Sequence, residues 1–385
     1  MNFLINKTVF ILSPVKWGKM KVSKHHYAIE IALAGNRVYY FEPPDIDLKG
    51  GIRIKELEGH KNIFLVSYKP IVRGKKYLPS FIYYSLLKYQ ISRLIKKINL
   101  KPDLVLSFEP YRFENLKWFK AKKTIFFAAD LYLKTATPGE VKTADLCLGV
   151  SPTIVSLLKQ SNPNVHFINH GLNTAFADLA KIKLTQHTKN INECFKKNIS
   201  VGYFGNLLID SLDRKTTMDV ILNNPLAQFI FWGQFERGQD NIIAFETKEV
   251  WEFINFLKQC KNVSLVGPKT HNELVLEIEK IDLFWVCYDI NANWQFDGSN
   301  SHKILEYLAT GKPVIANYTS AYADTDLIYM LNQKDNSKYC YLFEEIVQLV
   351  RSGESEKLIR TRLNFALSNT YRKQIEFIDS ILKCL

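Results

Sequence analysis

The chain lacks several features that would place it in whole classes of protein. No apolar run approaches the roughly 20 residues that span a bilayer. The six cysteines lie far apart and include no Cys-x-x-Cys pair, which excludes a disulfide scaffold and a zinc ribbon. No short-period repeat and no low-complexity tract is present. We therefore expect a folded cytoplasmic protein, whose first apolar run, ended by Ser13-Pro14, is a buried strand rather than a secretory signal.

Charge, by contrast, is plentiful and unevenly divided. Residues 1–198 contain 32 Lys and Arg against 14 Asp and Glu, whereas residues 199–385 contain 19 against 24. A half with a net charge of +18 thus precedes a half of −5, within the total of +13. A basic half indicates an anionic partner, such as a phospholipid surface, a phosphorylated lipid carrier or a nucleic acid. No nucleic-acid motif accompanies the charge, so we expect no nucleic-acid binding.

Short apolar segments alternate with helical patterns along both halves. Strands are predicted at 8–13, 37–43, 62–68, 103–110, 123–130, 145–151, 164–171, 199–206, 227–234, 262–268, 282–289 and 313–317. Such alternation is typical of parallel sheets in doubly wound domains. The predicted class is α/β, with two Rossmann-like doubly wound domains facing a cleft, where open α/β sheets bind ligands.

The length of 385 residues also favours two domains. We predict an N-terminal domain over 1–175, a polar linker over 176–198 and a C-terminal domain over 199–365. A last helix over 366–385 is expected to pack back on the N-terminal domain.

The most informative segment is SNSHKILEYLATGKPVIAN, residues 299–317. Its first three residues (Ser299, Asn300 and Ser301) have side chains that cap helices. Ile304, Leu305 and Leu308 have the spacing of a buried helical stripe. Gly311 suits a left-handed helix end, and Pro313 prevents the helix from resuming. The segment therefore predicts a polar loop, a short helix and a new strand.

Lys303 and Glu306 lie three residues apart and so share one face of that helix. A helix start with a lysine in its first turn suits a diphosphate, and a glutamate one turn later suits the hydroxyls of a ribose. The alternative is a solvated Lys/Glu face followed by an ordinary Gly-Lys-Pro turn.

The order of the whole string resembles the donor-site segment of GT-B glycosyltransferases, in which a loop precedes a helix of the form E-x-L-A-x-G-K-P-V. The resemblance extends along nearly the whole chain, through VSPTIVSLL, INHGLNTAF, VGYFGN and VSLVGPKTHNEL. It implies that Glu306 holds the nucleotide ribose. His170 and Asn173 replace the Asn and Asp of the family pattern, and Gly298 stands where many retaining relatives have a second glutamate. Whether the reaction retains or inverts the anomeric centre is therefore left open.

Other donor-side candidates follow from the same resemblance. Asp297 and Gly298 belong to the loop before the helix, either as a cradle for the sugar and phosphate or as a plain Asp-Gly turn. Gly205 ends a predicted strand, and Arg214 with Lys215 is a basic pair suited to neutralising a diphosphate, or a surface pair. Gly18 would let the backbone approach the diphosphate, or would form an ordinary turn.

Asp130 is the candidate catalytic base, since it follows a predicted central strand and could deprotonate an acceptor hydroxyl in an inverting reaction. A helix-capping role is the alternative. His25 and His26 open the first predicted helix and are further candidates. We expect no metal and no cofactor besides the nucleotide sugar.

The stretch 72–98 combines lysines and arginines with tyrosines and aliphatic residues, so it predicts a packed helix whose basic side faces an anionic membrane. The resemblance implies a metal-independent, hexosyltransferase-type enzyme of polysaccharide synthesis with a lipid-linked saccharide acceptor, peripheral on the inner face of the plasma membrane. Two alternatives are a nucleotide-sugar 2-epimerase of the same fold and a non-catalytic nucleotide-sugar-binding protein.

Overall fold

The computed structural model describes residues 4–18, 21–130, 139–186, 198–238, 247–289, 300–333 and 335–385. The chain forms two compact units. Unit 1 comprises Met1–Asn169 together with Tyr371–Leu385, and unit 2 comprises His170–Thr370.

Unit 1 contains an eight-stranded sheet in the order β3-β4-β2-β1-β5-β6-β7-β8, in which β3 is antiparallel to β4 and the other pairs are parallel. The central strand is buried on both faces, which explains its continuous apolar sequence. The strands are β1 (Thr8–Leu12), β2 (Arg37–Phe41), β3 (Ile52–Glu56), β4 (Ile63–Tyr68), β5 (Leu104–Ser107), β6 (Lys123–Ala128), β7 (Leu146–Gly149) and β8 (Val165–Phe167).

Four helices connect these strands, and local chemistry fixes several of their ends. Ser151 accepts from the Ile154 N–H and Pro152 follows it, an arrangement that starts a helix. Asn99 closes another helix in the left-handed conformation, with φ 58°. The helices are α1 (Ser23–Leu33), α2 (Ser80–Ile98), α3 (Gly139–Thr143) and α4 (Pro152–Lys159), with 3₁₀ turns at Lys75–Tyr77 and Leu116–Phe119.

Unit 2 contains a six-stranded, fully parallel sheet in the order β11-β10-β9-β12-β13-β14. Its strands are β9 (Ser200–Phe204), β10 (Gln228–Trp232), β11 (Val263–Leu265), β12 (Leu283–Val286), β13 (Val314–Ala316) and β14 (Tyr329–Met330). Its helices are α5 (Thr174–Thr185), α6 (Arg214–Asn223), α7 (Lys248–Gln259), α8 (His271–Glu277), α9 (His302–Leu308), α10 (Tyr339–Ser352) and α11 (Glu356–Ser368), with 3₁₀ turns at Ile278–Lys280 and Ser320–Tyr322.

The last helix, α12 (Tyr371–Cys384), belongs to unit 1. The Tyr371 ring stacks on His26 of α1 with centroids 4.9 Å apart. Asp379 accepts a hydrogen bond of 2.8 Å from the Leu4 N–H. The chain thus ends within the unit in which it began.

The predicted α/β class with two doubly wound sheets is confirmed. β3 and β14 were not predicted. β3 has the sequence IRIKE, whose charged residues and place at the sheet edge give it no buried apolar run. β14 is only two residues long.

The division between the units differs from the predicted boundaries. Residues 174–185, expected in a linker, form α5, and the Leu172 N–H donates to the Asn369 carbonyl at 2.7 Å within unit 2. The C-terminal segment is two helices that meet at Thr370, and only the second belongs to unit 1. α5 was assigned to the predicted linker because polar residues follow it at 186–198 and because its buried face is narrow.

No helix among the described residues combines the length and the apolar character that crossing a bilayer requires.

Candidate functional site

The strand order of unit 2 reverses between β9 and β12. From β9 the chain proceeds to β10 and β11 on one side, and then to β12, β13 and β14 on the other. Gly205 and Asn206 follow β9, while Cys287 and Tyr288 follow β12. Open α/β sheets bind ligands at the carboxyl ends of strands where the order reverses. A donor site in unit 2 is therefore expected at the carboxyl ends of β9 and β12.

Lys303 lies at this reversal point, in the first turn of α9. It is 8% exposed, and its ammonium donates to the Tyr288 hydroxyl at 2.9 Å. The ammonium also lies 5.6 Å from the ring centre of Tyr203 and 5.5 Å from that of Tyr288, which are cation–π distances. The predicted lysine is thus a buried cation, and a solvated surface face is excluded.

Gly205 lies directly against Lys303. Its φ of 151° favours glycine, and a Cβ at this position would collide with Lys303 Cε. Gly233 follows β10 with φ 155°, and a Cβ there would collide with the Gly205 carbonyl. The two glycines let the strand ends and the lysine pack together. Gly205 was predicted as a donor-site residue at the end of a strand, and Gly233 was not predicted.

The charge of Lys303 is maintained despite its burial. Burial lowers the pKa of the ammonium, whereas the oxygens of Tyr203 and Tyr288 and the Glu306 carboxylate raise it, and the net pKa lies above its ordinary value. A buried ammonium at the reversal point is suited to an anionic group such as a phosphate.

Glu306 lies one turn further along α9 and is 6% exposed. Its Oε1 accepts from Asn173 Nδ2 at 2.8 Å and is 3.3 Å from His271 Nε2. Asn173 also caps α5, because its Oδ1 accepts from the Phe176 N–H at 3.1 Å. Oε2 makes no hydrogen bond with any described residue. One oxygen of the carboxylate is therefore held by the protein, and the other remains available as an acceptor.

His271 is the first residue of α8, and its ring lies beside Glu306. Burial lowers the pKa of its imidazole, but the adjacent Glu306 carboxylate raises it more, so the net pKa lies above the ordinary value. The contact between His271 and Glu306 thus favours the charged imidazole beside the carboxylate. The helix start THNEL, with Thr270 as its cap, was the available signal.

The residues before α9 are tied to the same point. The Ser301 hydroxyl lies 3.1 Å from the Tyr288 hydroxyl, and the Asn300 carbonyl lies 2.7 Å from His170 Nε2. Ser301 occupies the N-cap position of α9 but makes no capping hydrogen bond. The capping role predicted for it is wrong, since its hydroxyl is turned to Tyr288. Asp297, Gly298 and Ser299 lie outside the described residues.

Arg214 and Lys215 differ in their surroundings. The Arg214 guanidinium donates to the carbonyls of its own loop, at Ile209, Asp210 and Leu212. Leu212 forms a bridge with Tyr288, so this loop borders the reversal point. Lys215 is exposed and makes no ion pair among the described residues. Arg214 therefore shapes the border of the site, and Lys215 lies on the surface.

Gln234, two residues after β10, was missed by sequence reasoning. It is 2% exposed, and its Oε1 has no hydrogen-bond partner within the described part of the chain. A buried unsatisfied acceptor costs free energy unless a ligand or water reaches it. Gln234 therefore lies at the carboxyl edge of the unit 2 sheet, on the β10 side of the reversal point.

His25 in unit 1 has both ring nitrogens engaged. Nδ1 accepts from the Val22 N–H at 3.0 Å, so Nε2 carries the proton and donates to the Lys16 carbonyl at 3.3 Å. Burial, with the nearby charge of Lys21, lowers its pKa to about 3. The imidazole is neutral and holds the loop that contains Gly18, so it has no free nitrogen for catalysis. The Gly18 carbonyl accepts from Lys21 Nζ at 2.6 Å.

Asp130 is exposed and lies two residues beyond β6. Its cationic neighbour is Lys24 of α1, which sequence reasoning missed. Lys24 is 8% exposed and makes no hydrogen bond or ion pair with the residues that the structure describes. Burial lowers its pKa, while Asp130 and Glu109 raise it. Glu109 is itself bonded to Arg112 at 2.6 Å. Unit 1 thus has a nearly buried ammonium between two carboxylates at its own sheet edge.

Carboxylate pairs that could bind a metal ion occur twice in the sequence, as Asp-x-Asp at 45–47 and 324–326. Within the described ranges no three His, Cys, Asp or Glu side chains gather as a metal site would require. The prediction of a metal-free site remains a prediction.

Two doubly wound units, with buried polar side chains at the strand-reversal point of unit 2, define an α/β protein of two Rossmann-like units. No family model and no curated protein sequence matches the chain. Solved structures match 98% of it. Sucrose-phosphate synthase of Thermosynechococcus elongatus aligns over 98% of its own chain with a TM-score of 0.64 and 13% identity. HepE of Anabaena in complex with UDP aligns over 100% of its chain with a TM-score of 0.65 and 13% identity. A glycosyltransferase of Rickettsia africae aligns over 98% of its chain with a TM-score of 0.64 and 13% identity. The chain therefore has the GT-B fold.

Proposed function

We propose that the chain is a glycosyltransferase that moves a sugar from a nucleotide-sugar donor to an acceptor hydroxyl. The observation that carries the proposal is the pairing of a buried cation, Lys303, with a buried carboxylate, Glu306, beside Gly205 at the strand-reversal point of unit 2. Proteins of the same fold were solved with such ligands, since HepE of Anabaena was solved with UDP-glucose and starch synthase IV of Arabidopsis thaliana with ADP.

The donor contacts follow from these groups. Lys303 and the backbone at Gly205 bind the diphosphate, because an ammonium held in a desolvated place stabilises the charge that grows on a leaving diphosphate. Glu306 accepts from the ribose hydroxyls through Oε2, since Oε1 is already held by Asn173 and His271. The positive groups of this arrangement support metal-independent transfer of a hexose.

The acceptor side belongs to unit 1. Asp130 is the proposed base if the reaction inverts the anomeric centre, and Lys24 is the proposed group that positions the acceptor hydroxyl or its neighbouring oxygen. The net charge of +18 over residues 1–198 supports a phosphorylated, lipid-linked saccharide as acceptor and a place at an anionic membrane face. Synthesis of a cell-surface polysaccharide is the corresponding role.

Calorimetric titration with UDP tests the donor site. We expect Lys303→Met and Glu306→Ala each to weaken UDP binding by about tenfold or more, because each removes a charge-assisted contact. Lys280→Met and Glu344→Ala, which change exposed residues of unit 2, serve as matched controls and are expected to bind as the parent does. Parental affinity in both site variants would end the proposal.

Product analysis separates this activity from its alternatives. Transfer requires an acceptor, so a sugar must appear on an added acceptor and UDP must be released. Conversion of a nucleotide sugar without acceptor would identify an epimerase. Binding without turnover or slow hydrolysis, across UDP-, GDP-, ADP- and dTDP-sugars, would identify a binding protein.

A further inference from the structure

A pocket in unit 1 lies at the carboxyl end of β4, on the β3–β4 side of the sheet. It has a volume of about 160 Å³ and lies between the end of β4 and the middle of α2. Lys69 and Arg93 line it together with Gln90 and with apolar side chains that include Tyr68, Ile71 and Leu94. Of its lining residues, Tyr68 is linked through Arg112 to Glu109, whereas Lys69, Gln90 and Arg93 take no part in the donor and acceptor contacts proposed above.

The polar groups of the pocket are donors without acceptors. The side chains of Lys69 and Arg93 make no ion pair or hydrogen bond with any described residue. Gln90 is 5% exposed, and its Oε1 accepts from the Ile71 N–H at 2.9 Å. This bond fixes the orientation of the amide, so Nε2–H points the other way, and it has no partner among the described residues. Lys69 and Arg93 are exposed, and together with the Gln90 amide they offer donors that suit an anion with several oxygens.

The surface beside the pocket is apolar and basic. Ile82, Tyr89 and Arg93 share one stripe of α2, because they are spaced seven and four residues apart. Phe81 is 72% exposed, Tyr89 58% and Ile82 37%. The 19 residues of α2 contain no Asp or Glu but four basic residues (Lys88, Arg93, Lys96 and Lys97). Exposed aromatic side chains beside an unbalanced positive charge are typical of a helix that lies in a membrane interface.

We infer that the pocket binds the phosphate of an anionic lipid while the exposed face of α2 lies on the bilayer. Lys69, Arg93 and the Gln90 amide hold the phosphate oxygens, and Phe81, Ile82 and Tyr89 enter the acyl boundary. This assignment deepens the proposed function, since it names the partner surface, but lipid binding does not require catalysis. If the ligand were a soluble phosphate, the exposed aromatic side chains would have no role. If it were a nucleic acid, the exposed aliphatic side chains would have none.

Vesicle sedimentation tests the assignment with the full chain. Vesicles of phosphatidylcholine alone are compared with vesicles in which about one lipid in three is phosphatidylglycerol. We expect the parent protein to sediment with the anionic vesicles and hardly with the neutral ones. The variant Lys69→Glu/Arg93→Glu is expected to bind them about tenfold more weakly or worse, because each charge near an anionic surface contributes to binding.

The matched control is Lys61→Glu/Lys159→Glu, which makes the same change in net charge at two exposed positions of unit 1 outside the pocket. It is expected to keep most of the binding. Equal losses in the two double variants would show that net charge alone attracts the protein, and equal binding to neutral and anionic vesicles would also overturn the assignment.

Two further measurements separate the lipid from a soluble anion and from the donor site. Phe81→Ser/Tyr89→Ser is expected to weaken vesicle binding at unchanged charge. If that variant binds normally and millimolar inorganic phosphate releases the parent protein, the pocket is a site for a free anion and the lipid assignment fails. UDP affinity is expected to remain parental in all these variants, so a failure of lipid binding and a failure of the donor site are distinguishable.

Discussion

Units 1 and 2 place buried charges at the same edge of their sheets, where the strand order reverses, but satisfy them differently. In unit 2, Lys303 donates to Tyr288 and Glu306 accepts from Asn173. In unit 1, Lys24 is equally buried at 8% exposed and has no bonded partner among the described residues. The comparison indicates that unit 2 offers a preorganised site, whereas the Lys24 ammonium of unit 1 has no bonded partner within the described residues and stays open to water or a ligand.

The comparison extends to the buried carboxyl groups. The Glu306 carboxylate accepts from the Asn173 amide and lies beside the His271 imidazole. Glu140 in unit 1 is fully buried, and burial raises its pKa to about 8 despite hydrogen bonds from Ser107 and the Phe113 N–H. The Ser107 hydroxyl is 2.7 Å from Glu140 Oε2 and 3.1 Å from the Glu109 carbonyl. It has one proton, so a protonated Glu140 can donate to it while it donates to the carbonyl.

The largest expected effect is the pH dependence that Glu140 confers. Its folded pKa of about 8 exceeds the ordinary 4.5, so the folded state binds more protons than the unfolded state between these values. The contribution of this group to the free energy of unfolding is therefore complete below about pH 4.5 and is lost as the pH rises through 8, by about 5 kcal/mol in all.

We expect Glu140→Gln to remove that fall, because a neutral amide matches the protonated acid. Denaturant unfolding at a series of pH values measures it, with the exposed Glu56→Gln as control. Parallel pH profiles of Glu140→Gln and the parent would show that Glu140 is ionised in the folded state.

Gly205 provides the next test, since it decides whether unit 2 is as closely preorganised as its contacts indicate. Gly205→Ala is expected to lower the free energy of unfolding by about 2 kcal/mol and to weaken UDP binding at least tenfold, because the new methyl group displaces Lys303. Gly238→Ala is the matched control: its φ of 74° is also strained for alanine, but no atom lies within 4 Å of the added Cβ. Similar losses of UDP affinity in both variants would assign the effect to strain rather than to Lys303.

Lys24→Met tests the other side of the comparison. Because burial disfavours the charged form of Lys24, its replacement by Met is expected to raise the free energy of unfolding by about 1 kcal/mol, while sugar transfer to the acceptor is lost and UDP binding stays parental. Unfolding, calorimetry and a transfer assay measure the three quantities. Lys159→Met, at an exposed position without an ion pair, should change none of them. A destabilised Lys24→Met with parental transfer would make Lys24 a structural residue.

His271→Gln gives the smallest expected effect. The folded pKa of His271 is raised by Glu306, so its contribution is complete below the ordinary value of 6.5 and is lost as the pH rises through the folded pKa. We expect UDP affinity to fall about threefold at low pH and less at high pH, because only the charged imidazole orients Glu306. Calorimetric titration with UDP below pH 6.5 and well above it measures the two affinities. A loss of affinity that is independent of pH would contradict an electrostatic role of His271.

Sequence reasoning located most of the fold because doubly wound sheets leave a strong local signal. Buried parallel strands such as TVFIL and LFWV are continuous apolar runs. The edge strand at Ile52–Glu56 was missed because its composition is polar and its burial partial. The helix Thr174–Thr185 was missed because only three of its 12 residues are buried. The prediction of a loop, a helix and a strand over residues 299–317 agrees with the structure for the described residues 300–317. Gly311 has the predicted left-handed conformation, with φ 75°.

Of the site, sequence order alone determined that Lys303 and Glu306 share a short helix between two strands, since spacing along a helix is a local property. Tertiary structure alone decided that both are buried, that Gly205 lies against Lys303 and that Asn173 and His271 hold Glu306. It also decided that Lys24 stands beside Asp130, and that Lys69, Arg93 and Gln90 surround one pocket. These contacts join residues far apart in the chain, and a sequence pattern records neighbours along the chain but not the packing that brings distant strand ends together.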